Sequence, residues 1–178
     1  DIYVSKKTES GEFGVAKLMG AEVNTPYDEN SPFIHPDGKT LYFSSNGHKS
    51  IGGFDIFATT VDLKTGEITS RTENLGYPIN TSEDQASLFV SANGIRAYYS
   101  FEEQKVGVSQ KSRIYTFDLP PVLREQVRPV NYLKGRITDV RTGKPLLATL
   151  DLINLKTNQS LSRIESDGQT GQYLTVLP

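Results

Sequence analysis

Side chains able to do chemistry are few in this sequence. Two histidines, His35 and His48, are its only imidazoles, and it has no cysteine. His35 stands before a Pro36-Asp37-Gly38 turn, and His48 lies in a glycine-rich loop. A metal site needs several ligands at compatible spacing, such as His-x-His or His-Glu-x-x-His. Neither spacing occurs, so both histidines read as turn or surface residues, and no metal or cofactor is expected. A serine nucleophile needs a sharp elbow and a histidine partner. No Gly-x-Ser-x-Gly is present, so no catalytic residue is assigned and the chain reads as non-enzymatic. Without cysteine there is neither thiolate chemistry nor a disulfide.

Carboxylates and aromatics form the remaining candidates. "YDENS" (27–31) and "TSEDQAS" (81–87) place Asp28, Glu29, Glu83 and Asp84 in two similar loops. Such a set could form a rim for a cation or polar ligand. The competing reading is that Asp28 and Asp84 accept backbone amides and hold a turn. Asp55, with a counterpart in Asp1, reads as a hydrogen-bonding residue at a strand start. Tyr27, Phe54 and Tyr77 could stack on sugars, and packing between strands would explain them equally. "DGQTG" (167–171) spaces several oxygens but lacks the acidic density of a calcium loop, so it reads as a turn.

The elements that carry these residues follow from a repeat. Shifted by 56, "NTPYDENSPFIHPDGKTLYFS" (24–44) lies over "NTSEDQASLFVSANGIRAYYS" (80–100), pairing Asn24 with Asn80, Asp28 with Asp84 and Tyr42 with Tyr98. "DIYVS", "DIFAT" and "RIYTF", starting at Asp1, Asp55 and Arg113, give a third anchor. A period of this size signals a repeat architecture. In the first full unit, strands are expected at 31–35, 40–45, 54–62 and from 67 to 71. Gly38 and Gly94 occupy equivalent turns, and Gly53 belongs to a Gly-Gly pair before the third strand. Leu41-Tyr42-Phe43 is apolar on both faces, as in a strand covered on each side. Ile56 and Ala58 share one face, with Phe57 opposite.

Four antiparallel strands per repeat describe a β-propeller blade. "SPFIHPDGKTLYFSS" and "GGFDIF" resemble the WD40-like blades of bacterial periplasmic propellers of the TolB type, in the form typical of Bacteroidetes outer-membrane-associated proteins. The second copy departs from that form. Asn93 and Ile95 replace Asp37 and Lys39, and Gln110-Lys111-Ser112-Arg113 replaces the Gly-Gly-Phe-Asp cluster. The resemblance implies that the Asp28/Glu29 and Glu83/Asp84 loops border the mouth of a central channel, with Tyr27 and Tyr77 on the same partner surface. A propeller closes with at least about four blades. Residues 1–118 are therefore expected to be the C-terminal blades of a partial propeller.

Residues 119–130 hold three prolines without strand alternation and are expected to be an extended linker. In 131–178, strands are expected at 133–139, 147–155, 160–165 and 172–177, a spacing that suits a small β-sandwich. Gly135, Asp139, Thr142-Gly143-Lys144-Pro145-Leu146, Ala148, Asp167, Gly168, Gly171, Tyr173 and Leu177-Pro178 resemble a carboxypeptidase regulatory-like (transthyretin-like) domain, expected to be truncated. The whole is thus expected to be all-β.

Net charge is −2 and no basic run occurs, which argues against nucleic acid as a partner. No apolar segment reaches the roughly 18 residues that span a bilayer. The order of the two units resembles the OmpA family of multidomain Bacteroidetes proteins, in which tetratricopeptide repeats precede the propeller and a peptidoglycan-binding domain follows the sandwich. That implies a periplasmic, outer-membrane-associated scaffold for protein partners, with a lipid anchor possible upstream and a link to type IX secretion. Peptidoglycan would be held only by a domain outside these residues. The rival expectations are a glycan-binding module of polysaccharide uptake and the accessory propeller of a hydrolase.

Overall fold

The structure, a computed structural model, describes residues 1–8, 10–103 and 111–177. Gln110 and Pro178, named above as repeat and domain marks, lie outside them. Among the described residues the chain is all-β apart from one short helix, and it divides into two compact units, 1–129 and 130–178.

The first unit begins with a hairpin of β1 (Tyr3–Val4) and β2 (Lys17–Leu18). Next come β3 (Glu29–Ile34), β4 (Thr40–Ser45) and β5 (Asp55–Asp62), paired antiparallel in chain order. The expected fourth strand is split into β6 (Glu67–Ile68) and β7 (Glu73–Asn74), each pairing with a different part of β5. The second copy of the repeat gives β8 (Gln85–Val90), β9 (Arg96–Glu103) and β10 (Lys111–Asp118), again antiparallel in chain order. The register of β3 on β4 shifts between Asn30 and Phe33, and that of β8 on β9 shifts at the equivalent place, between Gln85 and Ser87. The repeat therefore extends to its irregularities.

The β3–β5 sheet is covered on both faces, and every residue of β4 is buried. Leu41, Phe43, Phe57 and Val61 pack with Ile2, Met19 and Val23 on the hairpin side. Tyr42, Ile56 and Ala58 pack with Leu88, Val90 and Ala97 of the following sheet. Alternation along β5 thus divides its residues between two apolar cores, as the period of two requires. Full burial of one large apolar side chain contributes about 1.5–3 kcal/mol, so these two clusters carry the unit's stability.

The expected extended linker is not extended. Pro121–Gln126 forms a helix, α1, with proline at its first turn, where a missing N–H and a preset φ are no hindrance. Leu119 and Val127, which flank α1, and Leu123 within it join the second apolar cluster. The first compact unit accordingly runs to 129 and takes in most of the residues expected as a linker, 119–130.

In the second unit β11 (Asn131–Arg136) pairs with β14 (Gln172–Leu177), and β12 (Thr149–Asn154) pairs with β13 (Gln159–Glu165). These are two antiparallel ribbons. Along β12 half-buried Leu150 and Leu152 alternate with exposed residues, and Tyr173 and Leu177 do the same along β14. Among the described residues both buried apolar clusters belong to the first unit.

Candidate functional site

The loops leading into β3 and β8 carry most of the residues singled out by sequence, and the structure shows what each holds. In the second loop Asn80 is fully buried. Its Oδ1 accepts the Ile56 amide at 2.8 Å and its Nδ2 donates to the Ile56 carbonyl at 2.8 Å. Asp84 Oδ1 accepts the Phe54 amide at 2.9 Å, and the Gln85 amide donates to the Phe54 carbonyl at 2.7 Å. The loop therefore grips the backbone of alternate residues, 54 and 56, where β5 of the preceding sheet begins. Asn24 repeats half of this grip: its Oδ1 accepts the Ile2 amide at 2.7 Å and its Nδ2 donates to the Ile2 carbonyl at 2.9 Å.

Close approach explains the glycine pair. A Cβ on Gly53 would stand 2.2 Å from Asp84 Oδ1, and one on Gly52 would stand 2.6 Å from the Thr81 carbonyl. Asp55 is fully buried and accepts the amides of Ile51 and Gly52 and the carboxamide of Asn74. It thus closes the loop that presents this pair. Gly38 and Gly94 both take positive φ, at +74° and +67°, in equivalent turns.

The four carboxylates do not converge. Glu29 is buried, with Oε1 accepting from the Thr25 hydroxyl at 2.6 Å and the Ser45 hydroxyl at 3.0 Å. Burial removes it from any solvent-facing rim. Its repeat equivalent, Gln85, is bonded to Thr81 through both ends of its amide, whereas Glu29 Oε2 is buried without a partner. Asp28 is exposed, and its backbone amide donates to Asn46 Oδ1 at 2.9 Å. Glu83 is exposed, with its amide on the Thr81 hydroxyl. No group of three metal-binding side chains exists among the described residues. Tyr27 and Tyr77 are both largely exposed, Phe54 is half-buried, and no ring contact joins the three among the described residues.

His35, read from sequence as a turn or surface residue, is fully buried between the two copies of the repeat. Its Nδ1 lies 3.1 Å from the Asp37 amide nitrogen and 3.5 Å from Asp37 Oδ2, and its Nε2 lies 3.1 Å from the Ser91 carbonyl. Ser91 is the residue that replaces His35 in the second copy. Burial alone would raise the Asp37 carboxyl. The contact with His35, the Thr40 and Lys39 amides and the Thr40 hydroxyl outweigh it and hold that carboxyl well below the usual range. His48 also bonds to backbone, its Nε2 lying 2.9 Å from the Val23 carbonyl, with its ring against Phe43 and Phe57. Sequence reasoning missed both roles.

Two of the concave surfaces lie away from these loops. A groove of about 370 Å³ runs over Phe33, Phe89, Tyr98 and Ile114 in the first unit. In the second unit a hollow of about 730 Å³ lies over β11 and β14, beside Lys134, Arg136 and Tyr173. The Tyr173 ring covers Gly135, where a Cβ would meet its hydroxyl at 2.5 Å. No helix among the described residues is long and apolar enough to cross a membrane. No known protein family, curated protein or solved structure matches the chain.

Proposed function

We propose that this chain is a non-catalytic interaction scaffold of a periplasmic, outer-membrane-associated protein of the OmpA family. Its first unit is read as WD40-like propeller blades and its second as a carboxypeptidase regulatory-like sandwich. The observation that carries this reading is the repeated backbone grip. Asn24 on Ile2 and Asn80 on Ile56 tie each strand set to the next in the same way. Stacked sheets joined by such grips leave their connecting loops free for a partner. The loops bearing Tyr27, Asp28, Glu83 and Tyr77 are the partner surface in this reading, and the partner is a protein at the outer membrane. Type IX secretion, whose component PorE has this order of units, is the setting to which the sequence resemblance points. Peptidoglycan attachment belongs to a domain outside these residues.

A second reading, a glycan-binding module, draws support from the exposure of Tyr27 and Tyr77. One experiment separates the two. A photo-crosslinking amino acid is placed at residue 27 or 77 of the protein in its own envelope. The scaffold reading expects a discrete adduct with one outer-membrane protein and no co-sedimentation of the purified chain with peptidoglycan. Saturable binding of a soluble glycan, lost on Tyr27→Ala or Tyr77→Ala, would replace it with the glycan reading.

A further inference from the structure

Two asparagine–glycine pairs occur in the chain, Asn46-Gly47 and Asn93-Gly94. Chemistry at such a pair needs only water. The glycine nitrogen attacks the asparagine Cγ, ammonia leaves with the amide proton, and a five-membered imide forms. Water then opens the ring at one of its two carbonyls, giving aspartate or isoaspartate. Glycine favours the attack because no Cβ shields its nitrogen. Both groups must first be released, the carboxamide from its hydrogen bonds and the glycine amide from its own.

The structure holds the two pairs differently. Asn46 is half-buried, and its Oδ1 accepts the Asp28 amide, 18 residues away in the chain, at 2.9 Å. The Gly47 amide donates to the Ser45 hydroxyl at 3.0 Å. A Cβ on Gly47 would stand 1.8 Å from Thr25 Oγ1 and 2.9 Å from Tyr27 Cβ, so this backbone is pressed against the loop leading into β3. Freeing the first pair means parting two segments. Asn93 is exposed, and among the described residues its Oδ1 is held only within its own turn, by the Ser91 hydroxyl at 2.8 Å and the Ile95 amide at 3.1 Å. The Gly94 amide donates to the Ser91 carbonyl at 2.8 Å in the same turn. The nearest atom to a Cβ on Gly94 would be Val127 Cγ1, at 3.4 Å. Opening one turn therefore frees both reacting groups.

We propose that Asn93 is a site of hydrolytic deamidation and that its turn retains the aspartate formed. The first copy of the repeat shows that the product fits. Asp37 stands at the equivalent position and accepts the Lys39 and Thr40 amides at 3.0 and 2.9 Å. An aspartate at 93 keeps the Ser91 and Ile95 contacts as charge-assisted bonds, which are the stronger kind. The reaction gives the second copy the turn residue of the first and adds one negative charge. It goes beyond the scaffold reading and does not rest on it.

Peptide mapping of the whole chain, held folded or in urea in a mildly alkaline buffer, tests the site. In urea both pairs are expected to convert at similar rates. In the folded chain Asn93 is expected to convert at least about tenfold faster than Asn46, since the ease of local opening sets the rate. Asn93→Asp makes the product directly and should melt at or above the temperature of the parent. Equal rates at the two pairs in the folded chain, faster conversion at Asn46, or no conversion at Asn93 would overturn the assignment of the site. A melting temperature lowered by Asn93→Asp would overturn the retention of the product.

Discussion

Single buried polar side chains hold the strand sets together, and they can be tested one at a time. Asn80→Ala strands the buried amide of Ile56, whose carbonyl keeps the Leu75 amide at 3.1 Å. Leaving such a group unpaired costs about 1–3 kcal/mol, so the variant should lose about that much in urea unfolding. Asp84→Ala, which frees only the half-buried Phe54 amide, should lose less. Glu29 offers a change of opposite sign. Gln85 shows that a neutral amide fits the equivalent position, and Glu29 Oε2 has no partner. Glu29→Gln is therefore expected to raise stability by about 1 kcal/mol in urea unfolding, since Glu29 Oε2 has no partner and a carboxamide bonds within the equivalent loop. Asp37 governs the acid limb. Its folded value is depressed, so its contribution to stability is complete above the ordinary value of 3.8 and is lost as pH falls below it. Asp37→Asn, the residue the second copy carries at 93, should flatten the loss of melting temperature below about pH 4.

At the scale of elements the turns are the most legible part of the sequence. Asp62–Gly66, Asp139–Gly143, Asn154–Asn158 and Asp167–Gly171 share one construction. The first side chain accepts the amide two residues on, and the fifth residue takes positive φ and donates its amide back to the first carbonyl. Hydrogen bonds from Thr142 and Thr170 hold the exposed Asp139 and Asp167 carboxyls below the usual range. Gly143 at φ +67° has open space around its Cβ position, whereas a Cβ on Gly171 would stand 2.2 Å from the Ile137 carbonyl. Gly143→Ala should cost only the left-handed backbone term, about 1–2 kcal/mol, and Gly171→Ala distinctly more. Calorimetry of the two variants would show the order.

Strands β4, β5 and β14 were readable from apolar patterning and flanking turns. Three features were not. The fourth strand of the first repeat divides because Val61 and Asp62 pair with Ile68 and Glu67, while Phe57 and Ala58 pair with Asn74 and Glu73. Prolines at 120, 121 and 129 concealed α1, although Leu119, Leu123 and Val127 already carried a helical spacing. His35 was assigned to a turn because burial between two repeat copies depends on contacts 56 residues apart, with no local mark.

For the whole molecule, the central point is that equivalent strand sets stack face to face and are tied by carboxamides reading backbone. The loop acids follow from this. Asp84 serves the stack, Glu29 is buried by it, and Asp28, Glu83, Tyr27 and Tyr77 stay at the surface where a partner could meet them. The candidate rim was thus legible as residues but not as a site, because sequence cannot show which acids already have a backbone partner. Native-state hydrogen exchange reads the stacking most directly. The amides of Ile2 and Ile56 stand at the starts of strands, where fraying would ordinarily make exchange fast. If Asn24 and Asn80 lock neighbouring sets together, the Ile56 amide exchanges as slowly as those in the middle of β4, and Asn80→Ala accelerates it by at least tenfold. Exchange of the Ile56 amide at the rate of an exposed loop, unchanged by Asn80→Ala, would contradict the stacked arrangement.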